Sequence, residues 1–138
     1  MHSILQAIGN TPLVKLEKIV PNKQVTILVK CEFANPSGSV KDRIVDYIIA
    51  DAEQNGYLKP GGTIVENTSG NTGAAIAMLA AVKGYRAILT MPDKVSLEKQ
   101  NTLRAYGAEI IVTPNRGCAG FSRALCQCCQ TYCCGNSE

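Results

Sequence analysis

The chain has 138 residues, 46% of them apolar, and a formal net charge of +3. That composition suffices for the core of one ordinary domain and excludes wholesale disorder. The mild charge, its basic residues scattered among acids, and an aromatic set of two Phe, five Tyr and no Trp argue against nucleic-acid binding.

No apolar run has membrane-spanning length, and Met1–Leu5 carries neither a basic nor a long apolar region. The expectation is a soluble, cytoplasmic protein without membrane or nucleic-acid partners. Cysteine usage divides the chain: Cys31 stands alone before residue 118, whereas Cys118, Cys126, Cys128, Cys129, Cys133 and Cys134 crowd the end. The shift places a boundary near Asn115, giving a main unit over 1–114 and a Cys-rich tail over 115–138.

Residues 1–34 read as extended segments. Gly9-Asn10 is a turn signal, and Pro12 favours an extended residue before it. Val25-Thr26-Ile27-Leu28-Val29 has the pattern of a strand covered on both faces. A helix follows the loop Asn35-Pro36-Ser37-Gly38-Ser39-Val40-Lys41, with Ser39 as its N-cap. Its expected buried stripe is Ile44, Val45, Ile48, Ile49 and Ala52, and Asn55-Gly56 ends it.

Beyond residue 60 the pattern alternates. Thr63–Glu66 is a predicted strand, Ala74–Lys83 a helix ended by Gly84, and Tyr85–Thr90 a strand broken at Pro92. A helix capped by Ser96 and a strand over Glu109–Thr113 complete the series. Alternation with short turns predicts an α/β fold with a parallel sheet flanked by helices, in three layers.

Two loops carry the chemistry. The first ends in Lys41, in the first turn of a helix, where the dipole disfavours a cation. Such placement can lower an amine's pKa, and a neutral amine can form a Schiff base. A solvated surface lysine is the competing reading. Asp42 and Arg43 read as helix-face or ion-pair residues. The second loop, Thr68-Ser69-Gly70-Asn71-Thr72-Gly73, joins a strand to a helix N-terminus and so suits an anion. It matches neither common glycine-rich phosphate motif, so a substrate carboxylate is the better candidate. A plain capped turn would use the same residues.

Taken with Gly9-Asn10-Thr11-Pro12-Leu13 and with Met91-Pro92 and Ser96, these loops resemble the pyridoxal-phosphate-dependent β-replacement family of cysteine synthase and cystathionine β-synthase, over residues 3 to 114. The resemblance implies the two-lobe fold of the tryptophan synthase β-like type, fold type II. It implies pyridoxal 5'-phosphate as cofactor, an amino-acid substrate and a homodimer. Lys41 matches the lysine that forms the Schiff base. Asn71 matches the residue that hydrogen-bonds the cofactor's ring hydroxyl. Thr68, Ser69, Gly70, Asn71 and Thr72 match the loop that grips the substrate carboxylate.

The implied reaction has substrate displace Lys41, whose amine then takes the α-proton. The β-substituent of an activated serine leaves and a sulfur nucleophile adds. The first expectation is cysteine synthase, making L-cysteine from O-acetylserine and sulfide. The alternative is cystathionine β-synthase, using serine and homocysteine.

The chain has no Gly/Thr-rich phosphate loop after residue 73 and departs from the family pattern at Asn115. It is therefore expected to be a truncated form, holding most of the smaller lobe and the first strands of the larger. A non-catalytic fragment and a Cys-rich metal-binding module are further alternatives. No metal site is assigned, because the cysteine spacing lacks a second distant pair and His2 is the sole histidine. Ser122–Tyr132 is the tail's one candidate helix.

Overall fold

The computed structural model describes residues 3–22 and 24–114. The tail, with its candidate helix and its cysteines, lies outside the described residues. From residue 40 onward the architecture is the expected one: a parallel sheet flanked by helices. Strands β3 (Thr63–Asn67), β4 (Arg86–Pro92) and β5 (Glu109–Thr113) lie in that order, preceded by the two short strands described below. Helix α1 (Lys41–Gln54) precedes β3, α2 (Asn71–Lys83) joins β3 to β4, and α3 (Leu97–Ala105) joins β4 to β5.

The centre is α2. Ala75 to Ala80 are buried without a break, because α2 touches β3, β4, α1 and α3 at once. Alanine on most of its faces lets those neighbours approach. Leu79, Leu89 and Met91 are fully buried, and each such side chain stabilises the fold by roughly 1.5–3 kcal/mol. Gly84, at φ +78°, ends the helix in the left-handed conformation, and the Tyr85 N–H donates to the Ala80 carbonyl. A polar clasp ties α1 to this end. Glu53 accepts from Lys83 Nζ at 2.8 Å and from the Tyr85 hydroxyl at 2.6 Å. The Lys83 and Tyr85 bonds hold the Glu53 carboxyl below its ordinary range.

Several boundaries and faces differ from expectation. Strand β4 runs on through Pro92, which pairs with Thr113. Proline lacks the N–H, but the next residue, Asp93, donates to the Thr113 carbonyl and keeps the ladder closed. Helix α2 begins at Asn71, three residues before the predicted start at Ala74. The cap of α1 is Val40, and Ser39 instead accepts from the Lys41 N–H through Oγ at 3.1 Å. The stripe of α1 is narrower than its periodicity suggests. Val45 and Ile49 are buried, whereas Ile44 and Ile48 are exposed, because α1 packs along α2 through one edge only.

The largest correction concerns the early strands. Val25–Val29 is not a strand covered on both faces. Only β2 (Leu28–Lys30) forms, and it pairs antiparallel with β1 (Leu13–Lys15), Val14 opposite Val29. All six residues are exposed. The two strands pair with each other along one edge, but no second layer lies on them among the described residues.

Candidate functional site

The loop before α1 is fixed from both ends. Asp42, in the first turn, is fully buried. It accepts from the Ser37 N–H at 2.7 Å through Oδ2 and from the Ser37 hydroxyl through Oδ1. Gly38, at φ +86°, makes the turn between them, a conformation that favours glycine. On the other side, Asn35 accepts from the Gly9 N–H and donates to Glu32.

Glu32 is the hub of that second network. Arg43 donates to it from Nε at 2.9 Å and from Nη2 at 3.0 Å, a two-pronged pairing. Arg43 and Glu32 also both reach the Thr11 hydroxyl. The Arg43 hydrogen bonds chiefly, with those of Asn35 and Thr11, lower the Glu32 pKa to about 2 against a partial desolvation that opposes them. The Gly9–Thr11 turn is thereby tied to the lysine loop. Arg43 is an ion-pair residue, as expected. Asp42 is instead a buried anchor for the loop.

Lys41, half-buried, is the first residue of α1. Its ammonium has no hydrogen-bond or ion-pair partner among the described residues.

The second loop is organised by one hydroxyl. Thr68 Oγ1 accepts from the Gly70 N–H at 3.3 Å and the Gly73 N–H at 3.2 Å, while the Thr68 N–H donates to the Thr90 carbonyl. This crossing brings Gly73 so close that a Cβ there would sit 2.6 Å from Thr68 Cγ2. The N–H groups of Asn71 and Thr72, the first two of α2, have no partner among the described residues. They present an unpaired, partly positive helix end.

The two loops meet. Ser37 from the first and Ser69, Gly70 and Asn71 from the second line one cavity of about 200 Å³. Thr68 and Thr72, both half-buried, are not among the lining residues, and neither is Lys41. The far wall comes from Met91, within β4, and from residues that local sequence left unassigned: Val95 beyond β4, and Lys99, Thr102 and Leu103 on α3. Met91 belongs to a recognised stretch. Nothing local distinguishes Lys99 from the chain's other lysines.

Fold and site together define the class. The chain belongs to the pyridoxal-phosphate-dependent enzyme family, whose description, "Pyridoxal-phosphate dependent enzyme", matches residues 4–130. A probable cysteine synthase of Bacillus subtilis (strain 168) is 56% identical over 107 residues, covering 78% of this chain and 34% of the relative. The cystathionine β-synthase of Mus musculus is 58% identical over 116 residues, covering 83% of this chain and 21% of the relative. The crystal structure of an O-ureido-L-serine synthase superposes with a TM-score of 0.86 at 44% identity, over 96% of this chain and 42% of that one. The chain thus spans about a third of the length of the first relative and about a fifth of the second. It has the fold of the type II enzymes, represented in part.

The family's cofactor is pyridoxal 5'-phosphate, and the residues present fit part of it. The Lys41 amine without a partner, the Asn71 amide and the unpaired N–H groups of α2 are the groups present that could hold such a cofactor. No glycine-rich loop among the described residues beyond α2 offers a phosphate cradle.

Proposed function

We propose that residues 1–114 are the lysine- and carboxylate-binding part of a cysteine synthase-like β-replacement enzyme, with 115–138 a divergent tail. In this reading Lys41 is the catalytic residue and carries the cofactor. Asn71 hydrogen-bonds the cofactor's ring. Thr68, Ser69, Gly70, Asn71 and Thr72 form the substrate-carboxylate site. The observation that carries the reading is the junction of the two loops: Ser37, four positions before Lys41, shares a cavity with Ser69, Gly70 and Asn71.

The chain's own groups divide the work. The unpaired Asn71 and Thr72 N–H groups take the substrate carboxylate at the positive end of α2. Thr68 holds their loop in shape before substrate arrives, which lowers the cost of ordering it on binding. The Glu32–Arg43 and Asp42–Ser37 contacts fix the backbone from which Lys41 reaches. Lys41 Nζ takes the α-proton of the bound amino acid. The cofactor, when bound, supplies the electron sink.

The first-choice substrates are O-acetylserine and sulfide, giving L-cysteine. The 58% identity to a cystathionine β-synthase favours serine and homocysteine as the second reading. Incubation with pyridoxal phosphate and borohydride, followed by peptide mass analysis, tests the lysine assignment. Label on Lys41, lost in Lys41→Ala, is the expected result; label elsewhere or none overturns it. Assay with each substrate pair then separates the two readings.

A further inference from the structure

The far wall of the cavity has a use that the carboxylate loop does not exhaust. Its lining contains no carboxylate and one formal charge, the Lys99 ammonium. Lys99 has no ion-pair partner among the described residues. It lies on the same face of α3 as Thr102 and Leu103, three and four residues on, and Leu103 is buried. That burial fixes the rotation of the helix, and Lys99, exposed to solvent, is one of the residues that line the cavity. Gln100 adds a second fixture, donating from Nε2 to the Val95 carbonyl at 2.9 Å.

The rest of the lining is graded. Ala74, Met91, Val95 and Leu103 are apolar, while Ser37, Ser69, Asn71 and Thr102 offer hydroxyl and amide groups. A cavity with one unpaired cation, no acid and an apolar floor suits a small amphipathic anion. We infer that Lys99 is a specificity-determining residue that selects, for this cavity, an amino acid bearing a free carboxylate and a short, uncharged β-substituent. The inference rests on the carboxylate-binding reading of residues 68–72 and adds to it the charge of a lining residue on α3. A charge-assisted hydrogen bond is worth more than a neutral one, and a charge difference discriminates an acid from its amide.

The test uses the isotope-labelled full chain under reducing conditions, titrated with O-acetyl-L-serine and, separately, with its uncharged carboxamide. With wild type, O-acetyl-L-serine shifts the amide signals of Ser69, Gly70, Asn71 and α3. Lys99→Gln weakens its binding by about tenfold, Lys99→Arg restores most of that loss, and the carboxamide binds wild type and Lys99→Gln alike. Unchanged affinity in Lys99→Gln, with the Ser69–Asn71 shifts intact, overturns the role of Lys99 and leaves the loop reading standing. Absence of those shifts in wild type overturns both. Equal weakening of acid and amide overturns selection by charge.

Discussion

Two apolar segments of similar composition meet opposite fates. Ala87–Met91 in β4 lies in the middle of the sheet and is buried on both faces. Val25–Val29 contributes two residues, Leu28 and Val29, to a two-stranded hairpin, and its Val25, Ile27, Leu28 and Val29 are all exposed. The difference is in the neighbours. Strand β4 has β3 and β5 beside it and α2 across it, whereas β2 has β1 alone. An apolar run records that burial is available somewhere; it does not say which layer provides it. Ile44, Tyr47 and Ile48 of α1 are exposed in the same way.

The sharpest way to break this comparison is truncation on each side of it. Leu79→Ala, in the heart of α2, is expected to cost about 2–5 kcal/mol in denaturant unfolding. Leu28→Ala, half-exposed on β2, is expected to cost about 0.5 kcal/mol or less. Equal losses would mean that the hairpin is as tightly covered as the sheet. A smaller effect is expected at the join of β3 and α2. Gly73→Ala forces a methyl against Thr68 and should destabilise by about 1–3 kcal/mol. The Thr68 hydroxyl bonds should loosen with it, seen as faster amide exchange at Gly70.

The smallest effect is electrostatic and sharpens the account of the first loop. Glu32 stays ionised in the fold well below the ordinary 4.5, down to about 2. Its contribution is present above pH 4.5 and is lost as the pH falls through the folded value. Melting temperature should therefore drop between about pH 4.5 and pH 2, and Glu32→Gln should flatten part of that drop. Glu53 and Glu109, shifted in the same direction, account for a remainder. An identical profile for the variant would remove Glu32 from the network's energetics.

Much of the alternating half was legible because its signals are local. Gly84 and Gly107 end helices, Ser96 sits at the start of α3, and β5 occupies the predicted residues. The order of the two loops was also readable, through their resemblance to a known family. What escaped was set by distance along the chain. Periodicity assigned Ile44 and Ile48 to a buried stripe, but only the position of α2 decides which edge of that stripe is covered. Glu32 and Arg43 are 11 positions apart and Thr11 and Arg43 are 32, so no window on the sequence joins them. Lys99 joins the cavity lining because α3 packs against α2, a contact between elements that no local pattern announces.

Ser37 belongs to two assemblies at once. It is part of the cavity wall, and both its N–H and its hydroxyl are held by Asp42, the residue after Lys41. Occupancy of the cavity that pushes on Ser37 therefore pulls on the first turn of α1. The same short tether works in reverse: a change in the set of Lys41 moves the wall that an incoming molecule meets. The cavity wall and the first turn of α1 are in this way joined by hydrogen bonds across five positions of the chain.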